Sequence, residues 1–193
     1  MTFVVPAASQ SLNGVRLRAS PATLERLKLQ TLAREGQGAI KMSKFELPNG
    51  NPMSVTYDSS AEKILFVEVD WNNDSSARET GIPKFVFGKT TLEQIREING
   101  SNGFSWRKVA MQRKGDQLIA LNAYEIRNKP NSVVVFVTAL SIPEFEATSS
   151  DTSQMPKLFR LQAVILATEQ YLDFIWGAEK VYDNATKTIS WAD

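Results

Sequence analysis

Gly88-Lys89-Thr90 stands just ahead of a helix start, like the end of a phosphate-cradling loop in which backbone amides wrap the phosphates while lysine and threonine reach phosphate and magnesium. The first glycine that such a loop needs falls at Pro83, which has no amide proton and a fixed backbone, so nucleotide binding is not expected. Asp70-Trp71-Asn72-Asn73-Asp74 sets oxygen ligands at alternating positions, as a calcium loop begins. Ser75 occupies the tight-turn glycine position and Gly81 the bidentate glutamate position, so a solvated loop after a strand is the expectation. Glu93, Glu97, Glu125, Glu144 and Glu146 offer carboxylates for acid–base work, but nothing in their spacing makes any two converge. No Ser-x-x-Lys stands at a helix start, and no Gly-x-Ser-x-Gly elbow exists.

Composition narrows the chemistry further. The 193 residues contain no histidine and no cysteine, which removes the commonest neutral-pH base, the commonest metal ligand and the strongest nucleophile. Histidine- and cysteine-based zinc sites, Cys-His proteases and histidine triads go with them. With 22 basic against 21 acidic residues the net charge is +1, which gives no field to gather phosphate backbones; nucleic acid is a poor partner. The longest apolar block, 163–167, is far too short to span a bilayer, so no membrane insertion is expected. Phe3-Val-Val-Pro-Ala-Ala8 resembles the end of a secretory signal with a small-residue cleavage region.

The elements that must position any site read as follows. Ser20-Pro21 is a helix start, and Leu24, Leu27, Thr31 and Leu32 keep helical spacing to Gly36, which predicts a helix over 21–35. Strands follow at 40–47, 53–57 and 64–71. Both Thr90…Glu93 and Thr91…Gln94 fit a capping box for a second helix ending at Gly100, after which 104–112, 117–126 and 132–140 read as strands. The segment 141–156 reads as an exposed linker, 157–176 as a strongly apolar C-terminal helix, and 181–191 as an edge strand or clasp. Thr23-Leu24-Glu25 against Thr91-Leu92-Glu93, Tyr57 against Tyr124, and Ile64-Leu65-Phe66-Val67 against Val133-Val134-Val135-Phe136 hint at a duplication with units 20–71 and 88–140.

Gly88-Lys-Thr-Thr-Leu-Glu-Gln-Ile95-Arg-Glu-Ile98-Asn-Gly100, followed by aromatic strands, resembles the helix-and-sheet unit of SmpA/OmlA-type envelope lipoproteins and of the β-lactamase-inhibitor-protein-like fold. Thr91, Ile95 and Gly100 fit that motif, whereas Gly88 is one residue early and Ser101-Asn102-Gly103 replaces the usual continuation. The resemblance implies a noncatalytic envelope or secreted binding protein, although the lipid-attachment cysteine is missing from this chain.

The expected fold is therefore α+β: one compact domain over 1–193, with helices packed on an antiparallel meander sheet and a closing C-terminal helix. The expected function is a noncatalytic protein-binding module, periplasmic or secreted, that needs no metal or cofactor. Its expected contact face joins Trp106 and Tyr124 to the turn residues Ser101 and Asn102, because rigid aromatics dominate interaction hot spots. Two alternatives remain: a hydrolase-type enzyme using carboxylates or a Ser/Lys pair in a cleft under 141–156, and a carrier with an apolar pocket between sheet and helix.

Overall fold

The computed structural model describes residues 11–148, 151–182 and 188–191, so the signal-like stretch at 3–8 lies outside the described residues. A small hairpin, β1 (Ser11–Leu12) and β2 (Val15–Arg16), leads to a 3-10 helix at Pro21–Leu27. Ser20 caps this helix through its side chain, and Lys28 ends it in a left-handed conformation at φ 53°. The helix expected to run to residue 35 stops there. Only Leu24 of the helical segment is buried, and beyond Lys28 the backbone pairs from Gln30 to Gln37 with the next strand. A ladder along that length outweighs a weak helical periodicity.

The first meander consists of β3 (Gln30–Gln37), β4 (Ile40–Glu46), β5 (Pro52–Asp58) and β6 (Lys63–Asp70). Helix α1 (Leu92–Asn99) follows. Thr91 Oγ1 accepts from the Gln94 amide at 3.2 Å and Gln94 Oε1 accepts from the Thr91 amide at 3.0 Å, which is the expected capping box, and Gly100 closes the helix at φ 60°. The second meander is β7 (Phe104–Trp106) and β8 (Met111–Lys114), then β9 (Gln117–Glu125) and β10 (Ser132–Ser141). Short helices α2 (Ile142–Thr148) and α3 (Met155–Leu158) occupy the expected linker. The chain then forms β11 (Arg160–Thr168), α4 (Glu169–Trp176) and β12 (Lys180–Tyr182).

The architecture corrects the expected fold class, because a 10-stranded antiparallel sheet dominates, nine strands in the order β12-β7-β9-β10-β11-β6-β5-β4-β3 with β8 added on β9, and the helices are few and short. The largest correction is the C-terminal helix. Residues 160–168 form a central strand between β10 and β6, and only Glu169–Trp176 is helical. Both faces of β11 are covered, from Leu161 to Thr168 except for Gln162, so its sequence shows no alternation and reads as a continuous apolar run. β-Branched Val164 and Ile165 fit such a strand better than a helix.

The 3-10 helix precedes the first meander and α1 the second, and β11 joins the two by pairing with both β6 and β10, with β7 and β8 both pairing with β9. The residue matches noted in the sequence fall on strands of the same rank in each meander: Tyr57 on β5 and Tyr124 on β9, the third in chain order, and Ile64 to Val67 on β6 and Val133 to Phe136 on β10, the fourth. One sheet face carries the main core, in which Val55, Val67, Phe136, Val164 and Leu166 pack under α1 and the segment around Phe85 and Phe87. The other face buries Phe66, Phe104, Trp106, Val133, Ile165 and Leu172 beneath α4. Among the described residues no helix is long and apolar enough to cross a membrane.

Candidate functional site

The second face is built in rows that the strand register defines. Directly paired residues share a face, so one row runs Lys44, Ser54, Glu68, Ile165, Val135 and Ala123 across β4, β5, β6, β11, β10 and β9. The adjacent row runs Asp70, Ala163, Val137 and Leu121. Glu68 and Asp70 therefore project side by side from the middle of a sheet whose neighbouring positions are largely apolar. Helix α4 covers the other end of this face, around Phe66 and Ala167.

Lys114 of β8 is close enough to act on both carboxylates, and Lys44 acts on Asp70. On a flat sheet β8 would lie four strands from β6, roughly 19 Å at the usual spacing of about 4.8 Å, beyond the reach of a lysine side chain. A curl of the sheet that draws the end of the β8–β9 hairpin toward β6 accounts for the influence of Lys114 on both carboxyls. Twisted sheets of this size curl in this way. Glu68 keeps partial solvent access while the surrounding protein desolvates its carboxyl.

Desolvation at that position pushes the Glu68 pKa up from 4.5 to about 8, the charge of Asp70 pushes the same way, and Lys114 opposes both. Desolvation likewise raises Asp70, with Lys114 and Lys44 holding it down. Glu68 is accordingly protonated at neutral pH and can donate a hydrogen bond, beside a second carboxyl that the two lysines favour in its charged form. Among the described residues no group of three or more metal-ligating side chains comes together.

The residues expected to make the contact face are placed differently. Trp106 is fully buried on the α4 side, packed edge-on to Trp176 at 5.2 Å, with its Nε1 donating to Asp173 Oδ1 at 2.7 Å. Tyr124 is also fully buried, but on the opposite sheet face, edge-on to Phe136 at 5.9 Å, and its hydroxyl donates to the Ser101 carbonyl at 3.0 Å. Neither ring is presented to solvent, which corrects the expected outward aromatic face. Ser101 is buried and its Oγ accepts from the Gly103 amide, while exposed Asn102 gives its carbonyl to Asn122 Nδ2 at 2.6 Å. These two residues buttress Tyr124.

The other sequence candidates are held by local bonds. Thr90 Oγ1 accepts from the Val86 amide at 2.8 Å, and Gly88 lies so close that a Cβ there would fall 2.4 Å from Trp71 Cη2. Asp74 Oδ1 accepts from both the amide and the hydroxyl of Ser76, and Asn72 Oδ1 accepts from the Asp74 amide, all at 2.8 Å. Glu93 and Glu97 are on α1, Glu125 on β9, and Glu144 and Glu146 on α2. Sequence reasoning missed Glu68 and Lys114. The available signal was the ending Val67-Glu68-Val69-Asp70, where alternation puts two acids on one face of a strand otherwise buried.

No known protein family matches the chain, and no curated protein matches it. Among solved structures, an extracellular protein containing an SCP domain from Bacillus anthracis str. Ames is similar over 96% of this chain and 55% of that one, at 10% identity and a TM-score of 0.48. The chain spans about half the length of that protein, and so loose a likeness carries no argument about function.

Proposed function

We propose that this protein is a noncatalytic protein-binding module acting in the periplasm or outside the cell, and that the curled sheet face around Glu68 is its contact surface. The observation that carries this reading is the placing of Glu68 and Asp70 side by side on one sheet face within the influence of Lys114 and Lys44, which gives a patch that carries both signs of charge. Such a surface suits a partner that presents a hydrogen-bonding or charged group, because strands lose little ordering entropy on binding. The lack of histidine and cysteine, together with the resemblance of the α1 region to envelope lipoproteins, supports the same reading.

Asp70→Lys and Lys114→Glu test it, with Glu97→Lys on α1 across the sheet as the control. A protein retained from an envelope extract by the wild type and the control, and lost from both face variants, is the expected result. Identical retention by all four baits would sink the proposal. A second reading, a carboxylate enzyme, rests on the raised pKa of Glu68, which suits a general acid beside Asp70. Turnover of a glycoside or ester substrate that Glu68→Gln abolishes would favour it.

A further inference from the structure

A separate cavity of about 410 Å³ lies on the other side of the sheet, between α1, β10 and the segment at 188–191. Its apolar lining includes Phe85, Phe136, Ile189 and Trp191, and Lys84 and Arg127 are its charged residues. No acidic residue lines it among the described residues, and neither cation makes an ion pair there. Phe85 and Phe136 pack ring to ring at 4.6 Å, so part of the wall is rigid aromatic surface. The volume falls within the range of small-molecule sites.

The cavity is also fixed in place. The Arg127 amide donates to the Ile189 carbonyl at 2.8 Å and the Ile189 amide donates to the Glu125 carbonyl at 2.9 Å, which ties the C-terminal segment to the end of β9 beside the Arg127 side chain. Lys84 is held at φ 75°, a backbone conformation costly for a side chain other than glycine, yet lysine occupies it where it lines the cavity.

We infer that this cavity binds a small monocarboxylate with an apolar body, of medium-chain fatty acid or aromatic acid type. The hydrocarbon would lie on Trp191, Ile98 and the accessible edge of Phe85, with Phe136 buried behind them, and the carboxylate would meet Arg127, whose planar fork matches its two oxygens, with Lys84 as a second cation. This site is independent of the charged patch, so either can fail alone.

The test uses decanoate, decan-1-ol and decyltrimethylammonium, read by tryptophan emission, because Trp191 lines the cavity and the other three tryptophans do not. Decanoate should bind saturably and about tenfold more tightly than the alcohol, with no saturation by the ammonium analogue. Arg127→Gln and Lys84→Gln should each weaken decanoate by about fivefold to tenfold while leaving the alcohol unchanged. Trp191→Phe should remove the optical signal, with calorimetry still reporting decanoate binding. Both cations are exposed, so the charge variants should keep the wild-type thermal midpoint. Equal affinity for the three probes, no saturation by decanoate at about 1 mM, or decanoate binding indifferent to both charge substitutions would each overturn the proposal.

Discussion

Trp106 donates its indole N–H to Asp173 Oδ1 at 2.7 Å, and the same carboxylate receives Lys180 Nζ at 3.2 Å, so strand β7, helix α4 and edge strand β12 are joined at one acceptor. Lys180 also pairs with Glu169 and lies 5.5 Å from the centre of the Trp106 ring. Burial lowers the Lys180 pKa, but the bonds from Glu169 and Asp173 outweigh it and leave the group raised. Trp106→Phe keeps most of the ring area and removes the donor, and should cost about 1 to 2 kcal/mol in urea denaturation. Trp106→Ala, which also empties the space between Phe104 and Trp176, should cost about 3 to 5 kcal/mol.

Ile165 stands between Glu68 and Val135 in the central row and is 2% exposed. Ile165→Ala should cost about 2 to 5 kcal/mol. The substitution should also let water approach Glu68 and move its pKa back toward the ordinary carboxyl range. Carboxyl NMR titration of the variant checks the second effect separately from the first.

Glu68 gives the protein a specific pH dependence. A carboxyl whose folded pKa exceeds its unfolded value holds more protons folded than unfolded, so stability falls as pH rises from 4.5 through about 8. Glu68→Gln removes that loss. It should be roughly 1 to 3 kcal/mol more stable than wild type at alkaline pH, with the difference vanishing below the unfolded pKa, as measured by denaturation at a series of pH values.

Gly103 turns at φ 67°, and a Cβ there would come within 2.4 Å of the Ala123 carbonyl oxygen. Gly103→Ala should therefore cost about 1 to 3 kcal/mol and disturb the Ser101–Tyr124 bond, visible as a changed Tyr124 environment in near-ultraviolet circular dichroism.

Local signals were legible in the sequence where the backbone chemistry is local. The Thr91–Gln94 box, the Gly100 stop, strands β4 to β6 and the turn at Ser101 to Gly103 needed only near neighbours. β11 was not legible as a strand, because a strand covered on both faces has the same apolar density as a buried helix. Trp106 and Tyr124 read as an exposed pair because strand alternation says which residues share a side, not which side is covered. The charged patch depends on Lys114 acting on Glu68 from a strand four places away in the sheet, and no spacing along the chain encodes that.

That influence is the centre of the account, and the titration of Glu68 tests it most directly. Carboxyl NMR of the wild type should place Glu68 near 8, and Lys114→Met should raise it further by removing the one charge that lowers it. An unchanged Glu68 pKa in Lys114→Met would mean that Lys114 does not act on Glu68, and the charged patch would lose its basic side.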